Sequence, residues 1–261
     1  MSFRKSLKDA LTSANFFISV AVGVFLLFGP VAEFLWLGII NGLRLDYTYL
    51  FNTAQDSGSF IIFAPLLAAL PFSARFCTEL ECGMIRPILL RQRPEKYLTQ
   101  KFIVNGIAGG SSLALSETIL ALAVLILGMP YRKEDVYEGF QTICYGTPFE
   151  ELQFVWGGFA FILISIGLAF LTGAIWANVG LCVSAFIPNK FFAVGFPIVL
   201  YYGTTTVLVS TSIFGYSPMN LLLPITLDSI PLPINVIVQL LELLLVWAVF
   251  ILRGRRRLQN V

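Results

Sequence analysis

The residues best suited to chemistry in this chain of 261 residues are clustered between Arg75 and Lys101. Charged and apolar side chains alternate in this segment, whereas both of its flanks are almost purely apolar. Its acidic and basic side chains include Glu79, Glu81, Arg86, Arg91 and Arg93. Both signs of charge beside apolar side chains suit ion pairing with another protein surface. The segment is therefore a candidate partner-binding site rather than a catalytic one.

Composition excludes several kinds of catalytic site. The chain has no His, which removes Ser-His-Asp and Cys-His catalysis and His-ligated zinc. It also has no Gly-x-x-x-x-Gly-Lys-Ser/Thr phosphate loop, so we expect no ATP hydrolysis by the chain itself. A net charge of +2 is too small to indicate a nucleic-acid partner. We therefore predict a protein that is not an enzyme and binds no metal or cofactor of its own.

The elements that position this segment are membrane spans. Hydrophobic residues make up 57% of the chain and charged residues 12%, against about 25% charged in soluble domains. A spanning helix needs about 20 consecutive, mostly apolar residues. The runs that meet this requirement predict an all-α, polytopic fold with six transmembrane helices, over residues 16–40, 59–76, 102–129, 154–187, 191–214 and 234–252.

The distribution of Lys and Arg predicts the orientation. With both termini in the cytoplasm, every basic residue falls on the inner side except Arg44, Arg132 and Lys133. Cytoplasmic loops carry such an excess of positive charge. We therefore expect an N-in, C-in protein of the cell membrane. The cysteines then lie on different sides of the membrane or within it, so no disulfide is expected between Cys77, Cys82, Cys144 and Cys182.

The whole chain, 1–261, is predicted to be a single transmembrane domain. Residues 1–15 have the apolar spacing of a short amphipathic helix at the cytoplasmic surface. Residues 77–100 form a cytoplasmic loop with its own short helix, and 44–57 a short polar outer loop. The acidic stretch 130–153 is predicted to be extracellular. The proline-rich stretch 215–233 is predicted to be extracellular or re-entrant.

Three carboxylates fall within the predicted spans. Glu33 and Glu117 lie roughly 25 Å from the inner ends of their helices, close enough to the outer boundary to reach headgroups. Glu242 lies deeper in the bilayer, where burying its charge costs the most free energy, so it should face another helix or a hydrated cavity. Two interpretations of Glu242 are open: it makes a structural hydrogen bond, or it belongs to a substrate or proton site. Small and hydroxyl residues in the third and fifth spans can serve packing within the chain, a translocation path or a dimer seam. They are Gly106, Gly109, Gly110, Ser111, Ser112, Gly203, Thr204, Thr205 and Thr206.

Two interpretations of the segment between the second and third spans are open. Its arginines can enforce topology and hold lipid phosphates, which requires only positive charge. Alternatively, it is an amphipathic helix displayed to a protein partner. Glu79 and Glu81 would weaken a pure phosphate anchor, so they favour the partner surface.

The segment resembles the coupling region of ATP-binding-cassette transporter permeases of the type-two class. The positions that match are Glu79, Gly83, Leu89, Leu90, Arg93, Pro94, Tyr97, Leu98 and Lys101. The family's six spans, cytoplasmic termini, amphipathic first helix and proline-marked re-entrant segment can all be placed on this chain. Two departures concern the shape of the coupling helix: Met84 follows Gly83 where the family often has Thr, and Pro87 is an additional helix breaker.

The resemblance implies an exporter permease subunit that pairs with a second permease subunit, identical or related, and with two ATPase subunits. ATP and Mg would be bound by those ATPases, and membrane lipids would surround the spans. The coupling residues would be Glu79, Glu81, Gly83, Arg86, Leu89, Leu90, Arg91 and Arg93, with Glu242 as a possible intramembrane polar site. The alternative function is a non-transporting membrane scaffold or immunity-type protein.

Overall fold

The computed structural model describes residues 3–41, 46–56, 59–90, 92–128, 148–149, 151–152, 155–211, 213–223 and 229–259. These residues form a helical bundle without a β-sheet. In chain order the helices are α1 Phe3–Leu11, α2 Ala14–Phe28, α3 Ala32–Asn41, α4 Tyr47–Asp56, α5 Phe60–Ala69, α6 Arg75–Glu81, α7 Ile85–Leu89, α8 Pro94–Leu127, α9 Phe159–Phe186, α10 Lys190–Ser210, α11 Pro218–Leu222 and α12 Leu232–Gln259. The prediction of an all-α protein is confirmed.

Within the described residues, 5 helical stretches are long and apolar enough to cross a membrane: Ala14–Leu37, Pro94–Leu127, Phe159–Phe186, Lys190–Ser210 and Leu232–Gln259. They correspond to the first, third, fourth, fifth and sixth predicted spans. The break expected near Pro30 is a single 3-10 turn, Gly29–Val31, between α2 and α3. These helices are those of a multi-pass membrane protein.

The second predicted span, 59–76, is not one continuous helix. It consists of α5, whose 10 residues cover only about 15 Å, a series of turns over 70–74, and α6. Pro71 lies in the break, where its missing N–H and its ring oppose helix continuation. The broken segment runs antiparallel to α8: Phe76 packs against Tyr97, Phe72 against Val104 and Ala108. The contact follows α8 over much of its length.

The stretch 44–57, predicted as a polar outer loop, instead contains α4. Most side chains of α4 are buried, including Leu50, Phe51 and Ala54. Asp46 begins the helix, since its Oδ1 accepts hydrogen bonds from the Thr48 N–H and hydroxyl, both at 2.6 Å. Burial raises the pKa of Asp46, and these hydrogen bonds oppose that shift. The loop prediction is wrong because apolar residues at helical spacing lie between the polar ones.

Helices α8 and α9 pack closely at glycines, and α5 approaches the same place on α8. A Cβ added to Gly109 would meet the carbonyl oxygens of Ala68 at 2.6 Å and Gly173 at 3.0 Å. A Cβ added to Gly173 would meet the Gly109 carbonyl oxygen at 2.8 Å. The small residues of the third span therefore serve packing within the chain. Gly203 of the fifth span has nothing within 4 Å of the equivalent position.

Buried polar side chains bind the break after α5 to its neighbours. The Ser73 hydroxyl donates to the Ala177 carbonyl oxygen at 2.9 Å, and the Asn105 amide donates to Asn178 Oδ1 at 3.2 Å. Ser73 and Asn105 are also 3.3 Å apart. These contacts satisfy polar groups that would be costly in lipid and fix α8 against α9.

The described part of the predicted re-entrant segment is buried against α12. The Gln239 amide donates to the Leu221 carbonyl oxygen at 3.0 Å and to Asn235 Oδ1 at 2.7 Å. Leu221 is the residue before the last of α11, so the amide completes the free carbonyl end of a short helix. Of the predicted extracellular stretch 130–153, only 148–149 and 151–152 are described, and Cys144 lies outside the described residues.

Candidate functional site

The candidate coupling segment is a compact helix–turn–helix. Helix α6 ends at Glu81, a turn follows over 82–84, and α7 runs from Ile85 to Leu89 before α8 begins at Pro94. Gly83 has φ of +65° and open space where a Cβ would lie. Its requirement for glycine is therefore conformational rather than steric. Pro87 lies within α7 and Pro94 at the first position of α8, where a proline is well tolerated.

The apolar stripe of the segment is buried within the chain. Phe76, Ile85 and Leu98 are 0% exposed and share one cluster with residues of α9 and α12. The other fully buried or nearly buried members are Tyr97, Phe102, Leu181, Ala185, Phe250 and Leu258. Leu80, Ile88 and Leu89 pack on it from α6 and α7. The stripe therefore anchors α6 and α7 to the bundle and is not itself presented to a partner.

Glu79 lies in a buried ion cluster rather than on the surface. The residue is 2% exposed, and its Oε1 is 2.5 Å from Lys101 Nζ, which is itself buried. The Tyr97 hydroxyl donates to Glu79 Oε2 at 2.5 Å, and Arg75 Nε lies 3.5 Å from Oε1. Lys101 also lies over the Phe72 ring, 5.1 Å from its centroid. A carboxylate can remain charged at such a depth when several donors compensate it.

Two further ion pairs connect the segment to other helices. Glu81 Oε2 is 2.7 Å from Lys190 Nζ at the start of α10, and Glu95 pairs with Arg255 near the end of α12. Both pairs are partly exposed. Glu79 and Glu81 therefore have partners within the chain. Their presence does not by itself argue for a surface that binds another protein, as the sequence interpretation assumed.

The face that remains open combines apolar and basic side chains. Leu90 is 89% exposed and Met84 is 41% exposed, although both lie in the most polar part of the chain. Pro87, Arg93 and Lys96 are exposed beside them. Arg91 and the Arg86 side chain lie outside the described residues. Of the predicted coupling residues, the structure thus places Gly83, Leu90 and Arg93 on the open face and Glu79 beneath it.

Sequence reasoning missed the cations that complete this arrangement. Arg75, Lys190 and Arg255 were counted among the inner basic residues, and Lys101 was also a position of the family motif, but none was assigned a partner carboxylate. The signal available was pairing: Glu79, Glu81 and Glu95 each pair with a cation of another helix, namely Lys101, Lys190 and Arg255. Which cation pairs with which carboxylate depends on helix packing, which spacing alone does not provide.

Two cysteines of the segment differ sharply in their surroundings. Cys77 is 0% exposed, whereas Cys82 is exposed in the turn. Burial raises the pKa of the Cys77 thiol, and the Glu81 carboxylate raises it further. A thiol that stays protonated is a poor nucleophile.

We expect a membrane-impermeant maleimide to modify Cys82 in inside-out vesicles and to leave Cys77 unmodified, as read by peptide mass spectrometry. The Cys82→Ser variant should lose this modification. Modification of Cys82 from the extracellular side alone would contradict the predicted orientation, and rapid modification of Cys77 would contradict the packing of α6.

The three acids of the spans differ in environment. Glu33 is exposed and Glu242 is half-buried on α12. Glu117 is 0% exposed, which contradicts the expectation that it reaches headgroups; α4 lies over α8 in this region and covers it. Among the described residues, no group of three or more acidic or cysteine side chains is arranged to hold a metal ion.

Comparisons with known proteins leave the site to be judged on its geometry. No protein-family model matches the chain, and no curated protein matches it.

Proposed function

We infer that the chain is the permease subunit of an ATP-binding-cassette transporter, with an export direction, and that the segment 75–101 receives the movement of a separate ATPase. The single observation that carries this proposal is the open face of the segment. It displays Leu90 and Met84 on a helix–turn–helix that is otherwise firmly anchored. An exposed apolar side chain among charges is suited to insertion into a pocket of a protein partner.

The anchoring provides a path for movement. Ile85 of α7 packs in the same cluster as Leu181 of α9 and Phe250 of α12. The ion pairs of Glu79, Glu81 and Glu95 reach α8, α10 and α12. A displacement of the segment would therefore be passed to four spanning helices at once. Coupling through such contiguous packed elements is the physical requirement for transmission between sites.

The topology that this function requires has six crossings and two cytoplasmic termini. Besides the five long helices, we assign one more crossing, the second in chain order, to the broken segment α5–α6. Its contacts follow α8 from Tyr97, which packs against Phe76, to Ser116, which lies with Phe60 near Gly23. That interval corresponds to roughly 28 Å of helix, about the thickness of the hydrocarbon core. The ring of basic residues at the same end of α1, α8, α10 and α12 then lies in the cytoplasm.

The remaining parts of the assembly follow from the same proposal. A second permease subunit would complete the pathway, two ATPase subunits would bind ATP and Mg, and the cell membrane would supply the lipid. Arg4, Lys5 and Lys8 are exposed on α1, whose Phe3 and Leu7 pack beside Phe72. That arrangement places a basic helix surface at the level of anionic headgroups.

The proposal is tested by replacing the exposed apolar side chain. With the ATPase encoded beside it, the wild-type chain should co-purify as a complex whose ATP hydrolysis depends on the permease. We expect Leu90→Glu to weaken the complex at least about tenfold, since a central apolar anchor contributes more than 1 kcal/mol. Leu252→Glu is not a suitable control, because a charge there would enter lipid.

A better matched control is Leu252→Ser. Leu252 is 63% exposed and lies on α12, toward the end of the bundle that carries the segment 75–101. It should leave the complex and its ATP hydrolysis unchanged. Equal complexes from wild type and Leu90→Glu, or a folded chain that never associates with an ATPase, would favour the scaffold or immunity-type alternative.

A further inference from the structure

Glu117 is a buried carboxyl group that the coupling function does not use. It lies on α8, 0% exposed, and neither of its oxygens has a hydrogen-bond partner among the described residues. The Gln55 side chain of α4 lies beside it, and Gln55 Oε1 is also buried without a partner. Unpaired buried polar atoms are rare and costly. Three such atoms on two neighbouring side chains indicate that a hydrogen-bond donor is missing among them.

The described surroundings of Glu117 provide no positive charge to compensate a carboxylate. Helices α2, α5 and α9 have no charged residue over their described lengths. Among the described residues, the charged side chains at this end of the bundle are acids: Glu33 on α3, Asp46 and Asp56 at the two ends of α4, and Glu151. An ionised carboxylate in this place would be buried, uncompensated and repelled by its neighbours.

We propose that Glu117 is a proton-binding site closed by α4, in which the carboxylic acid hydroxyl donates to Gln55 Oε1. One proton supplies the missing donor, pairs the Glu117 hydroxyl with Gln55 Oε1, and leaves only the Glu117 carbonyl oxygen unpaired. It also removes the charge that the apolar surroundings cannot stabilise. The ligand class is a proton rather than a metal ion, because a metal would need further oxygen ligands. This assignment does not depend on the ATPase partner.

The lid of the site is α4. Its Gln55 side chain lies beside Glu117. Two contacts hold α4 in place: Asp46 caps its first turn, and the Tyr47 hydroxyl donates to the Trp156 carbonyl oxygen at 3.4 Å. If α4 lifts, water reaches Glu117, and the acid ionises as an exposed glutamate does above about pH 4.3. The closed state then holds one proton more than the open state. The ratio of closed to open α4 therefore falls as pH rises, by up to about tenfold per pH unit.

Hydrogen exchange of α4 measures this ratio. In lipid nanodiscs, the opening equilibrium of α4 amides, corrected for the intrinsic pH effect on exchange, should rise up to about 100-fold between about pH 6 and about pH 8. In Glu117→Gln the uncharged amide replaces the acid, so this rise should vanish. Glu33→Gln, an exposed acid at the same end, should behave as wild type. An identical pH response in wild type and Glu117→Gln would overturn the proposal.

Infrared spectroscopy observes the proton itself and does not depend on opening. At neutral pH, wild type should show a protonated carboxyl C=O band that is absent in Glu117→Gln and retained in Glu33→Gln. Gln55→Leu removes the acceptor, so the same band should move to higher frequency. If Glu117→Gln does not fold, the frequency shift of the carboxyl C=O band in Gln55→Leu tests the proposal by itself. No band assignable to Glu117, or a band that Gln55→Leu leaves unmoved, would contradict the site.

Discussion

Replacement of Glu79 by alanine should lower the free energy of unfolding by about 3–5 kcal/mol, because it leaves Lys101 as a buried charge without its partner. The two side chains are 2% and 5% exposed and lie in contact, so water screens the pair little. Tyr97 would also lose the acceptor of its hydroxyl. Chemical or thermal unfolding in a fixed detergent or nanodisc measures the change. We expect this to be the largest effect of any single charge removal in the segment.

The matched control is Glu81→Ala. Its pair with Lys190 is close to half exposed on both sides, and exposed pairs contribute little. A second variant distinguishes charge from packing: Glu79→Leu combined with Lys101→Met should recover a large part of the loss, because apolar residues of similar volume often replace a buried ion pair without cost. Equal losses from Glu79→Ala and Glu81→Ala would show that Glu79 is not buried against Lys101.

Substitution of Gly173 by alanine is the second change with a large expected effect. The added methyl group would meet the Gly109 carbonyl oxygen at 2.8 Å and the Gly110 Cα at 3.0 Å. Both are backbone atoms of α8, so relief requires separating the two helices. We expect a loss of about 3 kcal/mol, the upper end of what overpacking typically costs. The yield of folded protein and the unfolding temperature both report it.

The same helix provides the control. Gly167 also belongs to α9, but nothing lies within 4 Å of the position of its Cβ. Gly167→Ala should therefore be neutral or stabilise the helix by up to about 1 kcal/mol. If Gly173→Ala and Gly167→Ala behave alike, α8 and α9 do not approach as closely as described.

The apolar runs were enough to predict the long helices, because lipid accepts only backbone that is hydrogen-bonded within its own segment. The same rule did not reveal the breaks. Pro65 and Pro71 both lie in the second span, yet α5 continues through Pro65 and ends before Pro71. The difference depends on whether neighbouring helices compensate the freed groups. Near Pro71, Ser73 bonds to Ala177 of α9, a contact that sequence alone does not identify.

The sequence marked the candidate site as a segment but did not predict which of its faces is open. Alternating charge marked residues 75–101, and Gly83, a position of the family motif, lies in the turn between α6 and α7 with φ of +65°. Helical spacing also places Ile85 in an apolar stripe of the segment. It could not show whether that stripe faces a partner or the bundle. The open face is set by Phe250 and Leu181, which belong to distant parts of the chain and cover the stripe.

The same limit explains Glu117. Its exposure depended on α4, which was predicted as a loop. Once α4 folds over α8, the acid is enclosed. Burial of a polar residue is thus a tertiary property even where the helix that carries it is unmistakable.

The most direct test of the proposed coupling is photo-crosslinking in intact cells from position 90. A photoreactive amino acid in place of Leu90 should capture the nucleotide-binding subunit of an ATP-binding-cassette ATPase, identified by mass spectrometry. The same amino acid in place of Leu122, which is 57% exposed on the lipid-facing part of α8, should capture none. Capture of only lipid or of extracellular proteins from position 90 would contradict the account.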